Sequence, residues 1–169
     1  INPGSGNPIG GLAVALHTHG RYVEEMVLRS PSGLKSALGE NPKRVYNDKK
    51  QTPSTRLGTA LVIRKAFMDA QNHMGKNDDD DRDPQLEALA MVLRREIPWR
   101  QHAHRADDIG TALRLADEFG YDLVLDHGTE AHLLADILAE RGVPVLIGPL
   151  FTTRSKVELR QRSLENPGK

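Results

Sequence analysis

Seven histidines and the absence of cysteine set the chemistry that this chain can offer. Two of the histidines, His102 and His127, stand at the ends of consecutive apolar stretches, and a helical pattern follows each of them at once. Without thiolates, a bound metal needs imidazole or carboxylate ligands. If the two stretches are parallel strands, their carboxyl ends meet at one edge of the sheet and the two rings converge. The pattern therefore favours one metal ion shared by His102 and His127.

Three further histidines belong to His-x-His patterns. His104 lies two residues after His102 and is a candidate for contact with a substrate or with the metal ligands. His17 and His19 form a second pair at the end of an apolar stretch, where alternate residues share one face of a strand. This second pair suits two metal ligands and, equally, two exposed side chains, so the sequence leaves its role open.

The elements that must position His102 and His127 lie in the C-terminal half. Strands are predicted near residues 97–102, 122–127 and 143–148, with one amphipathic helix between each pair. Strands joined by single crossover helices run parallel, which predicts an α/β fold. Both a (β/α)8 barrel and a doubly wound sheet satisfy this spacing.

The helix boundaries in this half follow capping residues. Asp83 and Pro84 predict the start of a helix over residues 84–95. The Asp side chain can accept hydrogen bonds from the free N–H groups of the first turn, and a Pro at the first helical position gives up no helical hydrogen bond. Asp107 or Asp108 is expected to cap the next helix. A third helix is predicted from Thr129, with an apolar face formed by Leu133, Leu134, Ile137 and Leu138.

The N-terminal half has a less regular pattern. Strands are predicted at residues 12–16 and 33–38, a polar loop at residues 39–51, and a helix at residues 55–71. The acidic run at residues 77–83 predicts a solvated loop.

Composition excludes several functional classes. The chain has 169 residues, with 23 basic and 23 acidic side chains, so it lacks the positive charge that favours nucleic-acid binding. No apolar run approaches the roughly 20 residues that span a membrane. Turn residues at both ends predict an internal piece of a longer protein, with residues 1–169 forming part of a single domain. The absence of cysteine is compatible with a cytoplasmic location.

Five motifs together resemble the imidazolonepropionase-related branch of the amidohydrolase superfamily. They extend over most of the chain: NPIGG at residues 7–11, LKSALGENPKRVY at 34–46, TPSTRLG at 52–58, HAHRADDI at 102–109 and DHGTEAH at 126–132. The resemblance implies a partial TIM-type (β/α)8 barrel holding about strands 2 to 7, with the accompanying β-sandwich outside this chain. It also implies hydrolysis of an amide, lactam or cyclic carbon–nitrogen bond in a small-molecule substrate. Whether the full-length protein forms a homo-oligomer is left open.

The same resemblance assigns roles to individual residues. His102 corresponds to the fifth-strand metal ligand and His127 to the sixth-strand ligand, while His104 would lie just above the metal. Lys35 and Glu40 are the nearest candidates for a ligand that bridges two metals. The eighth-strand Asp expected to act as general base would lie outside the chain, so these residues alone are expected to be inactive.

Ligand chemistry favours Zn²⁺, although Fe, Mn and Ni also accept imidazole and carboxylate ligands. A divalent cation acidifies water and polarises a carbonyl group, which is the chemistry that such a hydrolysis needs. The alternative is a non-catalytic doubly wound binding or sensor domain. It lacks support because the Gly-rich segment at residues 4–11 contains Pro8 and leads into a predicted strand, whereas a dinucleotide-binding loop leads into a helix. An isolated barrel segment with unpaired edges is also expected to aggregate or be partly molten.

Overall fold

The structure is a computed structural model, which describes residues 1–75 and 82–169. The predicted acidic loop falls largely on residues 76–81, outside the described residues. The strands are β1 (Ile9–Leu16), β2 (Val27–Ala37), β3 (Trp99–Ala103), β4 (Leu123–His127) and β5 (Val145–Ile147). The α-helices are α1 (Val23–Met26), α2 (Glu40–Asp48), α3 (Arg56–Met74), α4 (Pro84–Leu93), α5 (Ala106–Phe119) and α6 (Ala135–Glu140), and short 3₁₀ helices cover Ala131–Leu134, Val157–Leu159 and Asn166–Gly168.

The five strands form one mixed sheet in the order β1-β2-β3-β4-β5. The pairs β2–β3, β3–β4 and β4–β5 are parallel, which confirms the predicted parallel pairing of the last three strands. The exception is β1, which runs antiparallel to β2. The parallel strands of a partial barrel, which the resemblance implied, therefore do not include β1, because the short connection through α1 turns the chain back on itself instead of crossing over the sheet.

The two faces of the parallel strands differ in chemistry. One face carries Leu34, Trp99 and Leu125, which pack in a continuous apolar core with residues of α3, α4 and α5 such as Phe67. Alternation places the polar residues Lys35, Arg100, His102 and Asp126 on the opposite face. The helices thus cover one side of the sheet, and the charged groups collect on the other.

Two predicted starts of helices had different outcomes. Asp83 caps α4 by accepting from the N–H groups of Gln85 and Leu86, with Pro84 at the first helical position, as predicted. Neither Asp107 nor Asp108 caps α5, because both lie inside its first turn and Arg105 occupies the cap position without a side-chain cap bond. The predicted loop at residues 39–51 was also wrong, since residues 40–48 form α2.

The predicted third helix is split. Residues 131–134 form a 3₁₀ turn, and α6 follows with Leu138 buried but Leu133 and Ile137 exposed. The final strand is also less buried than its composition predicts, because 48% of Leu146 and 36% of Ile147 are exposed. Among the described residues, no helix has both the length and the apolar character needed to cross a membrane.

Candidate metal centre

Three histidines meet at the carboxyl ends of β3 and β4. His102 lies in β3, His104 directly follows it, and His127 ends β4. The ring centroid of His102 lies 4.8 Å from that of His104 and 4.6 Å from that of His127. The centroids of His104 and His127 are 4.9 Å apart. One ring nitrogen from each residue lies within 4.8 Å of the others. The structure thus brings together the two predicted ligands and adds His104 to them.

The backbone at the end of β4 brings His127 into this cluster. Simple alternation would place its side chain with Leu125 on the helix-covered face. Instead, His127 has a φ of 84°, a left-handed conformation that is unusual for a residue other than Gly. Its Nδ1 lies 2.5 Å from the carbonyl oxygen of Gly148. This hydrogen bond fixes the ring and leaves Nε2 available to a ligand.

The residues present fit a divalent metal. His104 Nδ1 lies 2.7 Å from Thr129 Oγ1, and His127 Nδ1 is occupied by Gly148, an arrangement typical of histidines that bind metals through the other nitrogen. His102 Nδ1 is buried without any hydrogen-bond partner. A buried nitrogen with no partner is costly unless a ligand satisfies it. The donor set and this unpartnered nitrogen together indicate a cation site.

Burial keeps two of these rings neutral. It lowers the pKa of His104 to about 3, with a further contribution from the charge of His102. Burial is also the main cause of the lowered pKa of His127, followed by the charge of His102. Neutral imidazole is the form that binds metals, so both rings are ready to do so at neutral pH.

Lys35 lies beside the cluster on the same face of the sheet. It is buried, and its Nζ contacts Asp126 Oδ2. Asp126 also accepts from Arg100 Nη2 at 2.8 Å and from Asn2 Nδ2 at 2.9 Å. Burial lowers the pKa of Lys35, although the hydrogen bond and charge of Asp126 oppose the shift. Burial would raise the pKa of Asp126, but hydrogen bonds from Arg100 and Lys35 hold it at about 2.

Glu40, the other candidate for a bridging ligand, has a different set of contacts. Its backbone N–H donates to Glu158 Oε2 at 2.9 Å, and its carboxylate accepts from the N–H of Glu158 at 3.4 Å. The two acidic residues therefore connect the start of α2 to the 3₁₀ turn at Val157–Leu159. Among the described residues, the group of possible metal ligands contains the three histidines and not Glu40. A bridging role for Lys35 or Glu40 remains a prediction.

Sequence reasoning missed Glu158. Its side chain is fully buried, and Oε1 lies 3.8 Å from His102 Nε2 and 3.6 Å from His104 Nε2. Burial would raise the pKa of Glu158, but its interactions with His102 and the N–H of Glu40 hold it at about 2. The one sequence signal was an acidic residue between the apolar Val157 and Leu159, which is too common a pattern to indicate a site.

Two of the recognised motifs meet behind the histidines. Asp108, from HAHRADDI, is buried and accepts from Nε of Arg56, from TPSTRLG, at 3.2 Å on each carboxylate oxygen. Burial raises the pKa of Asp108, and the charge of Arg56 opposes this shift. Asp108 therefore joins α5 to α3, a structural role that replaces the predicted helix cap.

Comparisons with known proteins find similarity to amidohydrolases. The chain is similar to a crystal structure of an amidohydrolase from Thermotoga maritima MSB8, with a TM-score of 0.97 and 49% identity over 98% of this chain and 45% of that one. It is also 31% identical over 166 residues to amidohydrolase tasK from Hapsidospora irregularis, covering 82% of this chain and 17% of the relative. No family model matches.

The α/β fold, with its mixed and mostly parallel sheet, matches part of an amidohydrolase. Both relatives carry the description amidohydrolase. The chain spans less than half the length of either relative.

Proposed function

We propose that this chain is the metal-binding part of a hydrolase that cleaves carbon–nitrogen bonds other than peptide bonds, within the imidazolonepropionase-related branch of the amidohydrolases. The observation that carries the proposal is the convergence of His102, His104 and His127 at the carboxyl ends of parallel strands. In parallel α/β folds this edge holds the reacting groups. The amidohydrolase relatives support the same chemistry, and the motif resemblance supports the branch.

The proposal includes a (β/α)8 barrel that extends beyond the described sheet. The parallel strands β2 to β5 follow each other in chain order, with helices packed on the apolar face. A doubly wound sheet instead contains a point where the order reverses and a ligand binds. The described strands have no such point, and Gly10 and Gly11 lie in β1 and not in a phosphate-binding loop. These features favour the barrel over the binding or sensor domain.

In this proposal His102 and His127 hold a divalent cation. Zn²⁺ is preferred for nitrogen ligands, and Fe, Mn and Ni are the alternatives. Such a cation supplies Lewis acidity, which acidifies water and polarises the carbonyl of the bond to be cleaved. His104 lies against the pair with Nδ1 on Thr129, where it orients neighbouring groups or contacts the substrate. Lys35, if its neutral amine took up CO₂ and released a proton, would offer carboxylate oxygens to a second metal, and the lowered pKa of Lys35 favours the neutral amine that this reaction needs.

The test uses the full-length protein, stripped of metal with a chelator and then reloaded with Zn²⁺, Mn²⁺, Fe²⁺ or Ni²⁺. Metal content is measured by mass spectrometry, and hydrolysis is measured on a panel of cyclic ureides and lactams, imidazolone propionate and N-acyl amino acids. We expect at least one metal to bind and to restore hydrolysis of a panel member. Absence of metal uptake would exclude the metal centre, and metal uptake without hydrolysis of any carbon–nitrogen bond would exclude the proposed reaction.

A further inference from the structure

A buried carboxylate that the proposed reaction does not use lies against two of the three histidines. Glu158 Oε2 accepts from the N–H of Glu40, but Oε1 is buried without a hydrogen-bond partner. The nearest donors to Oε1 are His104 Nε2 at 3.6 Å, Lys156 Nζ at 3.7 Å and His102 Nε2 at 3.8 Å. A buried charge without a hydrogen bond is strongly unfavourable, so one of these N–H groups must satisfy it.

Lys156 has partners other than this oxygen. Of the three N–H donors of its ammonium group, one goes to Asn41 Oδ1 at 2.6 Å, and the side chain is partly exposed to solvent. The histidine rings have no solvent to turn to, since His102 and His104 are 2% and 3% exposed. The imidazole N–H groups are therefore the donors that gain most from the Glu158 oxygen.

His102 has two possible neutral forms, and its neighbours favour different ones. Asn41 Nδ2 lies 3.1 Å from His102 Nε2, and a bond from this amide would require the proton to sit on Nδ1. That form would leave an Nδ1–H buried without an acceptor, because Nδ1 has no partner. With the proton on Nε2, Glu158 accepts it, and the Asn41 amide retains its bond of 2.7 Å to Ser5 Oγ.

The second form is favoured on two counts. A hydrogen bond to a carboxylate is roughly twice as strong as one between neutral groups. It also leaves no imidazole N–H buried without an acceptor, although the second N–H of the Asn41 amide must then turn away from the ring. Closing the gap between Glu158 Oε1 and His102 Nε2 needs a shift of less than about 1 Å to reach the usual length of a charge-assisted bond.

We infer that Glu158 is a positioning residue whose carboxylate accepts the Nε2–H of His102 and thereby keeps the Nδ1 lone pair of that ring free for a metal. This inference rests on the metal centre of the proposed function. Histidines that bind metals usually donate their other N–H to a carboxylate or a backbone carbonyl, as His127 does to Gly148. Glu158 supplies the corresponding partner for His102.

The same carboxylate determines what His104 can do. Its Nδ1 contacts Thr129, and its Nε2 lies 3.6 Å from Glu158 Oε1, so this ring faces the same carboxylate as His102. His104 can therefore share the Glu158 oxygen with His102, since a carboxylate oxygen accepts more than one hydrogen bond.

Replacement of Glu158 by Gln tests this role with almost no change in shape. The carboxylate has two acceptor oxygens, one for the N–H of Glu40 and one for the histidines, whereas an amide has a single acceptor oxygen. In the Glu158→Gln protein, one of these N–H groups loses its acceptor. We expect the dissociation constant for Zn²⁺, measured by chelator competition on the full-length protein, to rise by about 10- to 100-fold.

Two variants accompany it. Glu118→Gln makes the same chemical change on α5, at an exposed ion pair with Arg64 of α3, and should leave zinc affinity unchanged. Glu158→Asp keeps the charge with a shorter side chain and should recover part of the lost affinity. If Glu158→Gln binds zinc within threefold of wild type, or if Glu158→Asp is as weak as Glu158→Gln, the inference is wrong.

A second measurement does not depend on metal binding. Nitrogen-15 NMR of histidine-labelled, metal-free full-length protein reports which ring nitrogen carries the proton, and a His102→Gln variant assigns the signals. We expect His102 to be protonated on Nε2 in wild type and to lose this preference in Glu158→Gln. A proton on Nδ1 in the wild type would overturn the inference. If wild type takes up no metal but His102 is protonated on Nε2, the metal centre fails while the Glu158 contact stands.

Discussion

The chain contains two His-x-His pairs with the same spacing and opposite surroundings. His102 and His104 are buried, with ring centroids 4.8 Å apart. His17 and His19 are exposed beyond the end of β1, with ring centroids 6.0 Å apart. Among the residues that the structure describes, only the first pair gains a third ring, from His127. The spacing of two histidines along one strand therefore does not by itself make a metal site. The neighbouring strand determines whether a third ligand is present.

Strand direction explains the difference. The parallel neighbour β4 ends beside β3, so the carboxyl ends of both strands deliver side chains to one edge, and Ala103 pairs with His127. The neighbour of β1 is antiparallel, and Leu16, at the end of β1, pairs with Val27 at the start of β2. That strand start contributes an apolar residue where a ligand would be needed. Within the described part of the chain, the hairpin of β1 and β2 therefore brings no third ligand to His17 and His19.

The largest expected effect comes from removing rings in the buried group. In the full-length protein, His102→Ala or His127→Ala should lower bound metal and reduce kcat/KM at least 10- to 100-fold, because loss of a ligand should cost no less than loss of a ligand's hydrogen-bond partner. His17→Ala is the matched control and should retain wild-type values. Bound metal is measured by mass spectrometry, and kcat/KM is measured by steady-state kinetics. If His17→Ala lost as much bound metal and activity as His102→Ala, the two His-x-His pairs would not differ in function as we expect.

The backbone behind the buried group should tolerate little change. Gly39 has a φ of 80°, and an added Cβ would lie 2.9 Å from Glu158 Oε2 and 3.0 Å from Asp108 Oδ2. Gly39→Ala should therefore reduce the free energy of unfolding by about 2 to 4 kcal/mol. In α5, an added Cβ at Gly110 meets only Arg114 Nη1 at 3.7 Å, so Gly110→Ala should be neutral or stabilising by up to about 1 kcal/mol. Denaturant unfolding of both variants checks the contrast, and equal effects would show that the packing around Gly39 is loose.

Acid should destabilise the metal-free protein through the buried rings. Folding lowers the pKa of His104 from 6.5 to about 3 and also lowers that of His127. As pH falls below about 6.5, the unfolded chain takes up protons that the folded chain does not, so stability falls by up to about 1.4 kcal/mol per pH unit for each such group.

Unfolding measured between pH 6.5 and 5 in the presence of a chelator should show this slope, and His104→Gln should reduce it. Asp126 and Glu158 do not produce this slope. Folding lowers their pKa values to about 2 from 3.8 and 4.5, so the stability that they contribute is lost only at pH values below this range. An unchanged slope in His104→Gln would show that His104 is not held neutral by burial.

The smallest effect is expected at the hairpin. The double variant His17→Ala/His19→Ala should change the free energy of unfolding by no more than about 0.5 kcal/mol, because exposed side chains without specific contacts contribute little. Thermal or denaturant unfolding measures this change. A loss above about 1 kcal/mol would mean that the hairpin histidines make contacts in the full-length protein.

Local patterns in the sequence determined much of the fold. The apolar periodicity placed β3, β4, β5, α3 and α4, and Asp83-Pro84 marked the start of α4. The order of strands and helices gave parallel pairing of β3 and β4, and from it the approach of His102 to His127. These features depend on neighbours in the chain and on the rule that single crossover helices join parallel strands.

Tertiary structure alone decided the rest. The burial of Glu158 beside His102 joins residues 56 positions apart, and the pairing of Arg56 with Asp108 spans 52 positions. Neither contact produces a periodic pattern in the sequence, because the sequence does not distinguish a charged residue at a buried contact from one exposed to solvent. The left-handed backbone at His127 is likewise set by the packing around the end of β4 and by the Gly148 carbonyl. Which polar groups are buried, and which partner each one finds, depends on the three-dimensional arrangement of segments distant in sequence, because burial is what makes an unsatisfied hydrogen bond or charge costly.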